Sequence, residues 1–288
     1  MKVELNGTLL EVTEQGSGEI ALFVHGSNSD YRTWHNQQAA FASQFRAVVY
    51  SRRYHYPNAT IPDEADYAMA DHLDDLHALI RWLGDDPVHL IGHSYGAFLG
   101  LLLAMYEPSR LRSLVLGEPP VFTLFISIPP KPQTLLKLFA TRPRTAAAII
   151  RFAATGLNPA TAAAKRGGRE TMLRSFGSAV LGPDTFNNLS EERLEQARIN
   201  LFKAELLGSG FLPLDADAIS RIQTPALLIN GANSPALFNR FNDRLAALLP
   251  HAERVTIPAA SHISHEDNPS AYNAAVLAFL EQHRAAPD

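Results

Sequence analysis

The chain has 288 residues, of which 46% are hydrophobic and 19% charged, with a formal net charge of −4 at pH 7. This balance excludes whole-chain disorder, and the acidic sign provides no basic footprint for nucleic acid or an anionic membrane. The absence of cysteine excludes disulfides, thiolate metal sites and a cysteine nucleophile. There is no run of about 18 apolar residues and no apolar signal sequence at the start, so we expect a cytoplasmic protein without a membrane or nucleic-acid partner.

Short apolar runs along the chain predict the strands of one sheet. Val3–Leu5 and Thr8–Glu14 flank the turn pair Asn6-Gly7 and predict a hairpin. Continuous apolar runs, which are typical of strands buried on both faces, lie at Ile20–Val24, Arg46–Tyr50, Val88–Ile91, Leu114–Leu116, Ala226–Ile229 and Arg254–Ile257.

Helical patterns fill most of the intervals between these runs. They lie at Tyr67–Leu83, Ala97–Tyr106, Phe238–Leu249 and Pro269–His283. The alternation predicts an α/β fold with a mostly parallel sheet flanked by helices.

The alternation stops between Pro120 and Pro213, in a stretch rich in Ala, Leu and Phe. We interpret residues 120–213 as a helical cap inserted after the sixth strand, with residues 1–119 and 214–288 forming the core. Its clearest predicted helix is Glu191–Leu207, with Ser190 as the N-cap.

The strongest chemical signal is Gly92-His93-Ser94-Tyr95-Gly96, which follows the run Val88–Ile91 and precedes a predicted helix. A sharp strand-to-helix turn that exposes one side chain needs small flanking residues, because larger ones would collide with the neighbouring strand and helix. The helix N-terminus also favours negative charge. We interpret Ser94 as a nucleophile; the alternative is a purely structural glycine-rich turn.

A loop that starts with His25-Gly26-Ser27-Asn28 follows the third predicted strand. Such a loop can supply the second donor of an oxyanion hole, so that the backbone N–H groups of Ser27 and Tyr95 together bind a negative oxygen. The alternative is an ordinary turn after a strand.

A histidine-containing segment, Ser261-His262-Ile263-Ser264-His265, follows the last predicted strand. A general base must lie on a loop that folds back over the nucleophile, and we assign this role to His262, with His265 as the competitor. A metal site built from these two histidines would lack a further cluster of ligands nearby.

Together these segments resemble the α/β-hydrolase superfamily, and the resemblance covers nearly the whole chain. The loop at His25, the elbow at Ser94, the inserted helices and the late His262 follow in the family's order. The resemblance implies the α/β-hydrolase fold and a Ser–His–acid triad. The serine at 94 differs from the aspartate nucleophile of the dehalogenase and epoxide-hydrolase branches.

The acid departs from the usual pattern of that family. Most members carry an aspartate shortly after the strand that is Ala226–Ile229 here, where this chain has Ser234. Some branches, among them zearalenone-lactonase-like enzymes, take the acid from the end of the preceding strand, where this chain has Glu118. We assign Glu118 as the acid that orients His262; Asp267 is the alternative.

The predicted wall of the substrate pocket consists of His25, Asn28, Tyr54, Tyr56 and Phe122. The family often has D-x-R-G-x-G-x-S after the strand that carries Tyr50, and both glycines of that motif are replaced by tyrosines in this chain. Amphipathic rings at these positions are expected to shape one side of a site; the alternative is packing at the surface.

These assignments predict a serine hydrolase that needs neither cofactor nor metal and acts on a small, moderately apolar ester or lactone. Two other activities use the same triad, acyl transfer and C–C bond hydrolysis. A non-catalytic protein that binds or senses a small apolar ligand is an alternative of another class. The apolar cap is also a candidate homodimer contact.

Overall fold

The computed structural model describes residues 1–62, 65–201 and 203–285. The strands are β1 (Lys2–Leu5), β2 (Thr8–Gln15), β3 (Ile20–Val24), β4 (Arg46–Tyr50), β5 (Val88–His93), β6 (Leu111–Gly117), β7 (Ala226–Gly231) and β8 (Ala252–Ile257). They form an eight-stranded sheet in the order β1-β2-β4-β3-β5-β6-β7-β8. Only β1 with β2 and β2 with β4 pair antiparallel, so the predicted mostly parallel sheet is confirmed.

The central strands are buried on both faces. In β3, Ile20, Leu22 and Val24 pack into one hydrophobic cluster, whereas Ala21 and Phe23 pack into another. Side chains of a strand alternate between the two faces of a sheet. A strand covered on both sides therefore consists of uninterrupted apolar residues, as the sequence of β3 does.

Helices before β6 are α1 (His35–Phe41), α2 (Met69–Leu83) and α3 (Tyr95–Tyr106). Between β6 and β7 lie α4 (Pro132–Thr141), α5 (Pro143–Phe152), α6 (Asn158–Lys165), α7 (Arg169–Leu181), α8 (Pro183–Asn187), α9 (Glu191–Ile199), α10 (Lys203–Leu207) and α11 (Ala216–Ser220). After β7 come α12 (Ala236–Ala246), α13 (Ser264–Asp267) and α14 (Pro269–Gln282). Short 3₁₀ or π segments cover Tyr31–Trp34, Pro108–Arg110, Phe122–Leu124 and Ala153–Leu157.

Helices cover both faces of the sheet. Phe41 of α1 and Tyr272 of α14 pack in the same cluster as Phe23, while Phe98 of α3 and Phe241 of α12 pack in the cluster on the opposite face. In the described ranges, no helix combines the length and the hydropathy needed to cross a bilayer.

Helices α4–α10, which we call the inserted helices, follow the sixth strand as the sequence predicts. They enclose a smaller cluster of their own that includes Ala163, Met172, Leu173 and Phe186, and Ile263 joins it from the loop after β8. The division into a core of residues 1–119 and 214–288 and a cap of residues 120–213 stays a prediction. Residues 63–64, 202 and 286–288 lie outside the described residues.

The prediction of one helix over Glu191–Leu207 is wrong. Ser190 caps α9 as expected, but α9 ends at Ile199 and α10 begins at Lys203; Phe202 lies outside the described residues. Asn200 is fully buried, and its Nδ2 donates to Asp30 Oδ2 at 2.7 Å while its Oδ1 accepts from the Tyr56 N–H at 2.8 Å. These contacts with distant loops stop a helix that the local apolar spacing would continue.

Candidate active site

Ser94 lies at the turn between β5 and α3, with φ of 50° and ψ of −116°. The two glycines of the motif permit this turn. A Cβ on Gly92 would lie 2.6 Å from the Cα of Ala97, and a Cβ on Gly96 would lie 2.1 Å from the carbonyl oxygen of Val24. The backbone conformation presents Ser94 at the edge of a cavity instead of burying it in the core.

Glu118 contacts His262 in the core of the site. The Nδ1 of His262 lies 2.6 Å from Oε2 of Glu118, and both side chains are only 2% exposed. Nε2 of His262 has no hydrogen-bond partner in the described part of the chain. His262 lines the same cavity as Ser94. One ring nitrogen is thus held by the carboxylate of Glu118, and the other carries no hydrogen bond to the described residues.

The second carboxylate oxygen of Glu118 is held by the neighbouring strand. Oε1 accepts from the Gly231 N–H at 2.9 Å and from Asn230 Nδ2 at 3.3 Å. Asn230 Oδ1 in turn accepts from Asn242 Nδ2 at 3.0 Å. The carboxylate therefore has a fixed rotation, with Oε2 directed at the imidazole.

Two aromatic rings position His262. Phe238 of α12 stacks on it with a centroid separation of 4.0 Å and an interplanar angle of 29°. His93 Nε2 donates to the His262 carbonyl at 2.9 Å. Burial, followed by the proximity of His265 and His262, holds the pKa of His93 well below 6.5, so His93 acts as a neutral donor that fixes the backbone of the histidine loop.

The competitors for base and acid are used elsewhere. His265 is buried beside Trp34, with ring centroids 4.3 Å apart, and its Nε2 lies 2.9 Å from Thr33 Oγ1. Burial lowers its pKa to about 4. Asp267 Oδ2 accepts from the N–H and Oγ of Ser261 at 2.7 and 2.6 Å. His265 is therefore a packing residue, and Asp267 shapes the loop that carries His262.

The two predicted oxyanion donors come from the loop after β3 and from the start of α3. Ser27 lines the cavity together with Ser94. Tyr95 is the first residue of α3, and the first N–H groups of a helix have no acceptor within it. The Tyr95 ring is buried, under the guanidinium of Arg52, so only its backbone is a candidate donor.

The cavity beside Ser94 has a volume of about 60 Å³, well below the roughly 300–1,000 Å³ of typical ligand pockets. Its wall is mainly apolar and comes from the inserted helices. The apolar side chains include Leu173, Phe176, Val180, Leu181, Phe186 and Leu189. Arg193 also lines the cavity, and its Nε donates to Glu266 Oε2 at 2.7 Å, which connects α9 to α13.

The predicted pocket wall needs correction. Of its residues, Asn28 lines this cavity, whereas His25, Tyr54, Tyr56 and Phe122 do not. His25 is fully buried beneath the loop, and Tyr54 packs near Tyr67 and His72 at centroid separations of 6.3 and 6.4 Å. Tyr56 is 41% exposed at the surface. Phe122 packs against Phe152 and Phe241. Side chains of the inserted helices line the cavity where the sequence predicts these rings.

Several residues of the site were not found from the sequence. Asn230, Phe238 and Arg193 have no motif that marks them, since each acts through a partner distant in the chain. Arg52 also has no motif that marks it. Its neighbour Arg53 matches the family motif, but Arg53 Nε donates to Asp75 Oδ2 at 2.6 Å and does not line the cavity. No group of three or more His, Asp or Glu residues in the described ranges is arranged to hold a metal ion.

Comparisons with known proteins agree with the fold. A family model described as the alpha/beta hydrolase fold matches residues 22–269. The uncharacterized hydrolase YraK of Bacillus subtilis is 29% identical over 117 residues, which are 41% of this chain and 43% of that protein. Bifunctional epoxide hydrolase 2 of Sus scrofa is 22% identical over 98% of this chain and 55% of its own length. The chain thus spans about half the length of these curated relatives.

Among solved structures, a thermophilic esterase from Thermogutta terrifontis superposes with a TM-score of 0.75 at 20% identity, covering 99% of this chain and 100% of that one. At this identity the likeness shows the fold alone.

Proposed function

Because the chain belongs to the alpha/beta hydrolase fold family, we propose that it is a serine hydrolase that cleaves an ester or lactone of a small, moderately apolar molecule. The observation that carries the proposal is the 2.6 Å contact between Glu118 Oε2 and His262 Nδ1. It is supported by the position of Ser94 and His262 on the wall of one cavity. A base oriented by a carboxylate, in the same cavity as a serine hydroxyl, is the arrangement that nucleophilic acyl transfer needs.

In the proposed reaction, Ser94 Oγ attacks the acyl carbon while His262 Nε2 accepts the hydroxyl proton. Glu118 accepts a hydrogen bond from His262 Nδ1–H and stabilises the imidazolium that forms. The N–H groups of Ser27 and Tyr95 donate to the oxyanion. When the tetrahedral intermediate collapses, His262 gives its proton to the leaving oxygen, which in a lactone stays attached to the acyl group.

The second half of the proposed reaction repeats these roles with water as the nucleophile. His262 takes a proton from the water as the water attacks the acyl carbon of the acyl-enzyme. Collapse of the second intermediate breaks the bond to Ser94 Oγ, which recovers its proton from His262. The products are a carboxylic acid and an alcohol, or a hydroxy acid from a lactone.

The substrate class follows from the wall of the cavity. Apolar side chains of α7 and α8, such as Phe176 and Phe186, face the space beside Ser94. Burial of apolar substrate surface against them contributes about 25 cal/mol per Å². The small volume favours a short acyl group, with a longer one requiring the inserted helices to move.

The test combines active-site labelling with turnover. Wild-type protein is expected to take a fluorophosphonate label and to hydrolyse p-nitrophenyl acetate and a γ-lactone, whereas Ser94→Ala does neither. Ser43→Ala, which alters an exposed serine, serves as the matched control and should match wild type. Styrene oxide is included because a relative is named an epoxide hydrolase. Epoxide turnover that persists in Ser94→Ala would overturn the proposal.

A further inference from the structure

We propose that Arg52 is a positioning residue of the oxyanion hole. Its guanidinium Nη2 donates to the carbonyl of Gly26 at 3.0 Å, and that carbonyl belongs to the same peptide group as the N–H of Ser27. The inference rests on the proposed function, since it concerns how the negative oxygen of the acyl intermediate is held.

Arg52 contacts both halves of the predicted oxyanion hole. On one side, its Nε donates to the His25 carbonyl at 3.2 Å and its Nη2 to the Gly26 carbonyl. On the other side, its guanidinium carbon lies 4.3 Å from the centroid of the Tyr95 ring. The loop that carries Ser27 and the helix that begins at Tyr95 are thus held by one side chain.

Burial of Arg52 is costly unless the cation is well bonded. The residue is 1% exposed, and no ion pair within 4.0 Å includes it in the described part of the chain. Its N–H groups instead bind neutral acceptors, among them the Tyr67 hydroxyl at 2.8 Å, while Glu205 attracts it through space. A buried cation bonded to neutral groups, here two backbone carbonyls and two side chains, contributes less to stability than a packed apolar residue of similar volume, which points to a role in the site.

His25 supplies a second donor to the same carbonyl. Its Nε2 accepts from the Arg52 backbone N–H at 2.9 Å, and its Nδ1 lies 2.8 Å from the Gly26 oxygen. Burial, with a smaller effect of the Arg52 charge, lowers the pKa of His25 to about 3. The ring is therefore neutral, and since Nε2 is an acceptor its single proton is on Nδ1 and donates to Gly26.

Two effects connect this contact to the oxyanion. The peptide group is planar, so a carbonyl of Gly26 held by two donors fixes the direction of the Ser27 N–H on the other side of the bond. A carbonyl that accepts from a cation is also polarised, which strengthens the N–H of the same amide as a donor. Both effects act on the transition state, because the negative charge exists only there.

The experiment compares Arg52→Met and Arg52→Lys with Arg53→Met. Arg53 is the matched control because it is the adjacent residue and binds Asp75 at 2.6 Å, but makes no hydrogen bond to the oxyanion loop. The measurements are kcat and KM for p-nitrophenyl acetate, the inhibition constant of phenylboronic acid, and the midpoint of urea unfolding. Phenylboronic acid is used because its tetrahedral adduct with Ser94 places an oxygen in the proposed oxyanion hole.

We expect Arg52→Met to lower kcat and to weaken boronate binding by the same factor, about 10- to 100-fold, with KM changed by less than about 3-fold. Arg52→Lys should lie between the Met variant and wild type. Arg53→Met should lower the urea midpoint and leave the ratio of boronate affinity to KM unchanged.

Three outcomes decide the matter. Boronate affinity equal to wild type in a folded Arg52→Lys or Arg52→Met protein overturns the inference and leaves the proposed function intact. A wild-type protein that neither binds boronate nor labels at Ser94 overturns the proposed function, and the inference with it. Should Arg52→Met not fold, an unchanged boronate affinity in Arg52→Lys overturns the inference and a weakened one supports it.

Discussion

Ser94 and Glu118 occupy equivalent positions directly after two neighbouring strands, β5 and β6. They directly follow His93 and Gly117, which are paired in the sheet, and both turn into the left-handed region with φ of 50° and 47°. The Ser94 N–H donates to the Gly117 carbonyl at 2.7 Å. Such backbone conformations persist only where the surroundings fix them, so the register of β5 and β6 sets the spacing of the predicted nucleophile and acid.

Glu118→Gln is expected to lower kcat for p-nitrophenyl acetate by about 1,000- to 10,000-fold. The Gly231 N–H and Asn230 Nδ2 both donate to one oxygen of residue 118, so the amide oxygen of glutamine stays there and its NH₂ group faces His262 Nδ1. A donor at that place favours the tautomer protonated on Nε2, which cannot accept the Ser94 proton.

The matched control for that substitution is Asp267→Asn, since Asp267 binds Ser261 and not His262. Its kcat should stay within about 3-fold of wild type. Steady-state kinetics of the two variants compares the acids directly. A Glu118→Gln variant that retains a tenth or more of wild-type kcat would show that the acid has been assigned wrongly.

Phe176→Ala is expected to change the preferred acyl length. The ring of Phe176 lines a cavity of only about 60 Å³, and its removal opens room for additional methylene groups at about 0.8 kcal/mol each. The ratio of kcat/KM for p-nitrophenyl octanoate to that for the acetate should rise about 10-fold or more. Phe139→Ala, at an exposed phenylalanine of α4, should leave that ratio unchanged; equal ratios in both variants would refute the predicted position of the acyl group.

Asn200→Ala is expected to destabilise the attachment of the inserted helices. It removes the donor to Asp30 and the acceptor of the Tyr56 N–H inside a buried contact, and an unpaired buried group costs about 1–3 kcal/mol. Urea unfolding should show that loss, and limited proteolysis should cut residues 190–207 sooner than in wild type. Asn188→Ala removes an exposed hydrogen bond to the Asp184 carbonyl within the insertion and should behave as wild type. Equal stabilities of the two variants would contradict this role for Asn200.

His89→Gln is expected to make the protein less sensitive to acid. Burial, with a smaller effect of Arg112, lowers the pKa of His89 to about 3. Between about pH 6.5 and pH 3 the unfolded chain binds a proton here that the folded protein does not, so stability falls as the pH falls. Glutamine cannot take up that proton, although it can keep the bond to Ser113 Oγ.

The slope of unfolding free energy against pH near pH 5 should therefore decrease by about 1.4 kcal/mol per pH unit in His89→Gln. Urea unfolding of both proteins between pH 4.5 and 5.5 measures the slope. Urea unfolding at pH 8, where His89 is neutral in the folded and unfolded states, measures the part of the stability difference that comes from changed packing. An unaltered slope would mean that His89 is protonated in the folded protein.

The strands and the elbow were predictable because their signals are local. A strand buried on both faces leaves an apolar run such as Ile20–Val24, and the elbow needs small residues at Gly92 and Gly96, whatever surrounds them. Glu118 was located by its place at the end of β6 and by the serine at position 234 after β7. The strands and the elbow needed only local signals, whereas the assignment of Glu118 needed the resemblance to the α/β-hydrolase superfamily and its known positions for the acid.

What could not be predicted depends on contacts between distant segments. The spacing of apolar residues continues through Asn200, but its buried amide is bound by Asp30, which is 170 positions away. The pocket wall was assigned to Tyr54 and Tyr56 because they replace glycines of the family motif, whereas α7 and α8 line the cavity. Neither the orientation of an inserted helix nor the partner of a buried amide leaves a periodic signal in the sequence.

The position of the acid also divides the site unequally along the polypeptide. Apart from the His262 imidazole, the proposed nucleophile, acid and oxyanion donors all precede residue 119. They follow strands that are neighbours in the sheet. In the proposed assignment the turn after β7 carries no catalytic side chain, and its contribution is the Gly231 N–H that donates to Glu118 Oε1 at the end of the strand. Recombination between two such genes at a point after β6 and before α7 would exchange the inserted helices that line the cavity together with the proposed base. The proposed nucleophile and the proposed acid would be inherited together.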